Sequence, residues 1–219
     1  MMATYILVHG GNMSAKTWNR LTKRHDFPEG TRLGARYWDG TVAALEAHGH
    51  RAVAPALADE HTHNLTDHIG QVSETIEPAG KESVILVGHS YGGMVITGAA
   101  DRLPDRIRRL VYLDAALPDP GESLFDQFIQ SGIDPLSVPG LEPAAAYMEK
   151  IRFDPEKIRA LPKTYIRCTE SEFAAVTSEA MRKIAAHREG WTCRELPTSH
   201  VPMATMPGRL YRLLLAAAE

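Results

Sequence analysis

Val84-Ile85-Leu86-Val87-Gly88-His89-Ser90-Tyr91-Gly92-Gly93-Met94-Val95 is the stretch on which the reading of this chain turns. It opens as an unbroken apolar run rich in β-branched residues, the pattern of a strand covered on both faces. It then passes through Gly-x-Ser-x-Gly straight into a helical pattern, so a serine stands at the corner between strand and helix. Such a corner forces the serine backbone into a strained conformation, and Gly88 and Gly92 leave out side chains that would collide with the neighbouring strand and helix. Ser90 Oγ is therefore expected at the carboxyl edge of a sheet, above a helix N-terminus whose first N–H groups and dipole favour developing negative charge. The pentapeptide alone also fits an ordinary strand-to-helix turn. Its weight comes from the strand before it, the helix after it and the partner residues elsewhere.

Working outward, further strand-like runs fall at residues 5–9, 51–55, 110–114, 164–168 and 191–196. Helical patterns fill the gaps at 35–48, 65–77, 91–102, 178–188 and 207–218. This repeating order predicts the α/β class, a doubly wound, mostly parallel six-stranded sheet with right-handed crossovers. A chain of 219 residues, 44% hydrophobic and 23% charged, suits one domain with a sizeable core. Residues 115–161 break the alternation with prolines, short helical pieces and large apolar side chains such as Leu124, Phe125, Phe128, Tyr147 and Met148. Solvated loops seldom carry so many, and ligands of parallel sheets bind where the strands end, so this insertion is expected to form a short helical cap over a pocket. There is no internal repeat or low-complexity tract.

The net charge of −3 comes from 24 basic and 27 acidic residues with no long single-sign run, which argues against nucleic acid and anionic membrane as partners. No apolar stretch approaches the roughly 20 residues that cross a bilayer, and the N-terminus enters a strand-like run without a positive leader. Cys168 and Cys193 both fall in predicted strands, where buried reduced thiols are expected rather than a disulfide. These features point to the cytoplasm; they are compatible with a homodimer without specifying one.

Partners for Ser90 can be sought at the ends of the other predicted strands. The first runs into Val8-His9-Gly10-Gly11-Asn12, where glycines let the backbone approach a reacting carbonyl. The N–H groups of Gly11 and Tyr91 are expected to form an oxyanion hole, each donor worth about 3 kcal/mol of barrier. His9 is read as a structural residue. Among the ten histidines, His200 lies just after the last predicted strand, in Thr198-Ser199-His200-Val201-Pro202, where an imidazole can reach Ser90 as general base. The acid that orients it has two candidates. Asp114 ends a buried strand, where an unpartnered carboxylate would be costly, and is favoured; the alternative is Glu172, in Thr169-Glu170-Ser171-Glu172. His61, His63 and His68 cluster with Asp59 and Asp67, but their spacing matches no familiar metal site and they are read as a polar loop entering a helix.

Together, His9-Gly10-Gly11, Gly88-His89-Ser90-Tyr91-Gly92-Gly93, Leu113-Asp114-Ala115 with Pro118 and Gly121, and Ser199-His200 resemble the α/β-hydrolase superfamily over nearly the whole chain. The likeness is to its small esterase branch, with plant methylesterases, bacterial pyrethroid-hydrolase-like esterases and hydroxynitrile lyases. That resemblance implies a Ser-His-acid triad, two backbone oxyanion donors, a helical cap and no cofactor. The chain departs from the branch in three places. Relatives commonly carry the acid as an aspartate after the penultimate strand, where this chain has Glu170 and Glu172. The cap looks shorter than in the plant members. The lyases carry a lysine and a threonine where this chain has Val201 and Gly10, which disfavours lyase chemistry. The expectation is thus a serine hydrolase that cleaves a small carboxylic ester or related acyl substrate through an acyl-enzyme. Two alternatives stay open: cofactor-free carbon–carbon hydrolysis or lyase chemistry on the same fold, and a non-catalytic small-ligand-binding protein.

Overall fold

The structure, a computed structural model, describes residues 2–11, 13–79, 83–138 and 141–219. Asn12 of the first-turn motif and residues 139–140 of the cap lie outside the described residues. Six strands form one sheet: β1 (Thr4–Val8), β2 (Arg51–Val53), β3 (Val84–His89), β4 (Ile107–Leu113), β5 (Lys163–Cys168) and β6 (Trp191–Leu196). Their spatial order is β2-β1-β3-β4-β5-β6, and every pairing is parallel, where the sequence led us to expect a mostly parallel sheet.

Helices lie on both faces, which is why β1 and β3 are buried along their whole length instead of alternating. One layer holds α3 (Leu65–Ile76), α4 (Gly92–Arg102) and α8 (Ala174–Ala186), packed on Ile6, Val8, Leu86, Leu110 and Tyr112. The other holds α1 (Ala15–Thr22), α2 (Asp39–Ala47), α9 (Pro202–Thr205) and α10 (Pro207–Ala216), packed on Tyr5, Leu7, Ile85, Val87 and Val111. The chain runs outward from β1 to the edge strand β2 and then returns to the far side of β1 to form β3. The strand order therefore reverses between β1 and β3, the place where a crevice opens at the carboxyl ends of such sheets. Registers Val8↔Gly88, His89↔Leu113, Leu113↔Ile166 and Cys168↔Leu196 bring the carboxyl ends of five strands to one edge.

Three short cap helices, α5 (Leu124–Gln130), α6 (Ala145–Met148) and α7 (Pro155–Arg159), pack on α8, α3 and α4 respectively. Leu124, Phe128 and Tyr147 are buried in the same core as α4, and Phe125 packs against it. Met148 instead faces solvent, 51% exposed. Helix α1 had no counterpart in the sequence reading. It is short, buries only Ala15 and Trp18, and begins where Ser14 Oγ caps the N–H of Thr17, so its periodic signal spans too few residues to stand out. Cys193 corrects another expectation: it is exposed, because β6 is an edge strand, whereas Cys168 is buried as expected. Both thiols are free. Among the described residues, no helix is long and apolar enough to cross a membrane.

Candidate active site

Ser90 occupies the corner between β3 and α4 with φ of +56°, a left-handed backbone that a serine holds only when its surroundings impose it. Here the end of β4, the loop after it and the first turn of α4 impose it. Ser90 N–H donates to Leu113 O at 3.3 Å, and Ser90 O accepts from Gly93 N at 3.1 Å and Ala116 N at 3.0 Å. The flanking glycines are needed for close approach: a Cβ at Gly88 would lie 2.5 Å from Gly92 O, and one at Gly92 would lie 2.7 Å from Val8 O.

The turn after β1 lies directly against the serine, with the ideal Cβ position of Gly10 only 2.7 Å from Ser90 Cβ. Gly10 N–H is already used, donating to Tyr37 Oη at 2.5 Å. Those of Gly11 and Tyr91 donate to no protein group among the described residues. Two free N–H groups thus belong to residues that line the cavity beside Ser90.

His200 follows β6 and is held from four sides. Its Nδ1 is 2.7 Å from Asp114 Oδ2, its backbone N–H donates to Glu172 Oε2 at 3.2 Å, and its carbonyl accepts from His89 Nε2 at 2.7 Å. The rings of Phe173 and His89 pack on it, with centroids at 5.0 and 4.5 Å. Asp114, fully buried with φ of +44°, also accepts Cys168 N–H on Oδ1 at 2.9 Å and the hydroxyl of Ser171 on Oδ2. Of the two acid candidates, Asp114 is the one on the imidazole, while Glu172 holds the backbone of the same residue. A carboxylate on Nδ1 places the ring proton there and leaves the Nε2 lone pair available. Ser90 and His200 line one cavity of about 290 Å³, walled by Leu124, Phe128 and Tyr147 of the cap and by Phe173. No hydrogen bond joins their side chains in this structure; such pairs are often long until a substrate tightens them.

Several supporting residues were invisible in the sequence. A carbonyl can only accept, so His89 must carry its proton on Nε2; its Nδ1 then accepts from Tyr37 Oη at 2.9 Å. This gives a buried chain from Gly10 N–H through the Tyr37 hydroxyl and the His89 ring to the His200 carbonyl, tying both loops of the site together. Burial, helped by the neighbouring His200, holds the His89 pKa well below the ordinary imidazole value. Burial also lowers His9 to about 4, and its ring bridges Gly10 O at 2.7 Å and Leu57 N–H at 3.0 Å. Both hydrogen bonds of His9 are thus with backbone groups, the bonding of the structural residue it was read as. Burial, with Asp114 nearby, pushes the Cys168 thiol far up.

The polar cluster before α3 divides among separate tasks. Asp67 and Asn64 form a capping box, Asp59 pairs with Arg32 at 2.6 Å, and His68 accepts from Tyr91 Oη at 3.0 Å while donating to Ala58 O at 3.1 Å. His68 thus steadies the side chain of Tyr91, which lines the cavity.

Comparison with known proteins follows this geometry. Residues 5–213 match the model of the alpha/beta hydrolase family. The carbendazim hydrolyzing esterase of Nocardioides sp. (strain SG-4G) is 41% identical over 132 residues, 56% of this chain and 46% of that protein. Methylesterase 8 of Arabidopsis thaliana is 38% identical over 100 residues, 41% and 36% of the two chains. This chain therefore spans about half or less of the length of the curated relatives it matches. The crystal structure of polyneuridine aldehyde esterase superposes with a TM-score of 0.75 at 18% identity, covering 100% of both chains. These likenesses lie in the esterase branch that the motifs resembled. The strained corner at Ser90, the parallel sheet that carries it and the match over residues 5–213 agree: the chain belongs to the alpha/beta hydrolase family.

Proposed function

We propose that this protein is a serine esterase that hydrolyses small carboxylic esters through an acyl-enzyme, with Ser90 as nucleophile, His200 as general base and acid, and Asp114 as the carboxylate that orients His200. The carrying observation is the 2.7 Å contact between His200 Nδ1 and a fully buried Asp114, on a histidine that shares its cavity with Ser90. It fixes the tautomer in which Nε2 can take a proton.

In the first step the Ser90 hydroxyl adds to the ester carbonyl and its proton passes to His200 Nε2. The resulting oxyanion is held by the N–H groups of Gly11 and Tyr91, which have no other acceptor to release among the described residues. Collapse expels the alcohol, which leaves with the proton from His200, and Ser90 keeps the acyl group. Water then gives a proton to the same nitrogen, attacks the acyl carbon and frees the carboxylic acid, restoring Ser90. A cavity of about 290 Å³ with walls from Leu124, Phe128 and Phe173 suits a small ester with an apolar group. The names of the esterase relatives point the same way. The test is turnover of ester, lactone and amide panels by the parent and by Ser90→Ala. Ester turnover that the variant loses is expected; turnover by the variant near the parent rate refutes the assignment.

A further inference from the structure

A second cavity, of about 510 Å³, lies on the sheet face that carries α4 and α8 and shares no lining residue with the Ser90 cavity. Tyr112, Phe153, Ile158, Ile184 and Trp191 give it aromatic and aliphatic walls. Lys163, the first residue of β5, also lines it and is only 6% exposed. Its ammonium donates to two backbone carbonyls, Arg159 O and Leu161 O, both at 2.9 Å, and lies 5.8 Å from the centre of the Trp191 ring.

An ammonium has three protons to donate and one charge to balance. Two carbonyls and an aromatic face leave one proton and the charge without a carboxylate. Two acids of this region, Asp119 and Glu122, pair with Lys183 at 2.9 and 2.6 Å, and the third acid at the cavity, Glu189, is exposed and forms no ion pair with Lys163. No ion pair of Lys163 occurs among the described residues. Burial accordingly pulls its pKa down. A buried cation is expensive unless paired, and a lysine placed in a wall of aromatic rings has its missing counter-ion supplied most simply from the cavity itself.

We propose that this cavity is a second ligand site, distinct from the Ser90 cavity, which takes a small aromatic carboxylate with its ring against Trp191, Tyr112 and Phe153 and its carboxylate on Lys163 Nζ. The volume falls within the range of small-molecule sites, and the site needs no participation of Ser90 or His200. Arg159, Lys183 and Arg188 also line the cavity, so the competing role for Lys163, holding the two carbonyls alone, predicts an affinity for anions that does not depend on Lys163.

The test titrates the full chain with 1-naphthoate and, separately, with the uncharged 1-naphthalenemethanol, following the indole N–H signals by NMR. Trp191 lines the cavity, whereas Trp18 and Trp38 are buried in the opposite layer and serve as references. Saturable shifts of Trp191 are expected, with naphthoate bound roughly tenfold to a hundredfold more tightly than the alcohol, the range of one charge-assisted hydrogen bond. Lys163→Met should weaken naphthoate by about tenfold or more while leaving the affinity of the alcohol and the ester turnover unchanged. Equal affinity of the two ligands on the parent protein overturns the proposal without any variant. So does a naphthoate response confined to resonances around His200, or naphthoate affinity at Trp191 that Lys163→Met leaves untouched.

Discussion

Replacing Asp114 by asparagine separates the role of this residue from that of Glu172. The two side chains have nearly the same shape, and an asparagine oxygen could still accept Cys168 N–H, now 2.9 Å from Oδ1. The amide nitrogen would then face His200 Nδ1, which today lies 2.7 Å from Oδ2. A donor in that place favours the tautomer with its proton on Nε2, the one that cannot accept from Ser90. Loss of the negative charge also withdraws support from the imidazolium formed in the transition state. Together these effects should lower kcat/KM for p-nitrophenyl acetate by about 10³ to 10⁴, or roughly 4 to 5.5 kcal/mol of barrier. Glu172→Gln keeps an oxygen for the His200 N–H and should stay within about threefold of the parent. Steady-state kinetics with thermal melts as a folding control decide it. A folded Asp114→Asn enzyme within tenfold of the parent, or a collapse in Glu172→Gln instead, would refute the reasoning.

Three further predictions follow from the groups around the site. Ser171→Ala removes a hydroxyl that donates to Asp114 and sits 3.5 Å from His200 Nδ1, so kcat should fall several-fold, roughly one kcal/mol, with KM little changed; an unchanged kcat argues against it. Tyr37→Phe strands the buried Gly10 N–H and the His89 Nδ1, and should cost about 1–3 kcal/mol for each group left unpaired; a urea midpoint equal to the parent's would contradict the buried chain. Stability should also depend on pH. The folded state holds His9 at about 4, below its ordinary 6.5, so the unfolded chain binds the proton first and stability falls as pH drops from 7 towards 4. Between pH 7 and 5 His9 alone should cost about 2 kcal/mol, with His68 and His89 acting in the same direction, and a flat urea midpoint over that window refutes it.

What could be read from residues alone follows from how local each signal is. The elbow was readable because a buried strand, two close-approach glycines and a helix start are consecutive, and the structure gives Ser90 the left-handed backbone that this pattern demands. His200 was readable because its position after the last strand follows from chain order. The choice between Asp114 and Glu172 stayed open because both follow strand ends; only the three-dimensional course of the 170–172 loop puts one on the ring and the other on the backbone. Tyr37, His89 and Ser171 carried no signal at all. Their partners lie up to 111 residues away, and such contacts leave no periodicity or spacing to detect. The exposure of Cys193 was missed for a related reason, since a run of residues does not say which strand will stand at the edge.

Covalent capture of Ser90 tests the central claim most directly. The protein is incubated with a fluorophosphonate, and the intact mass and the modified peptide are determined alongside residual ester turnover. One adduct per chain on the peptide that contains Ser90, lost activity in proportion to labelling, and no adduct in Ser90→Ala are predicted. A fully active enzyme whose Ser90 stays unmodified, or an equal adduct on another residue in Ser90→Ala, would contradict it.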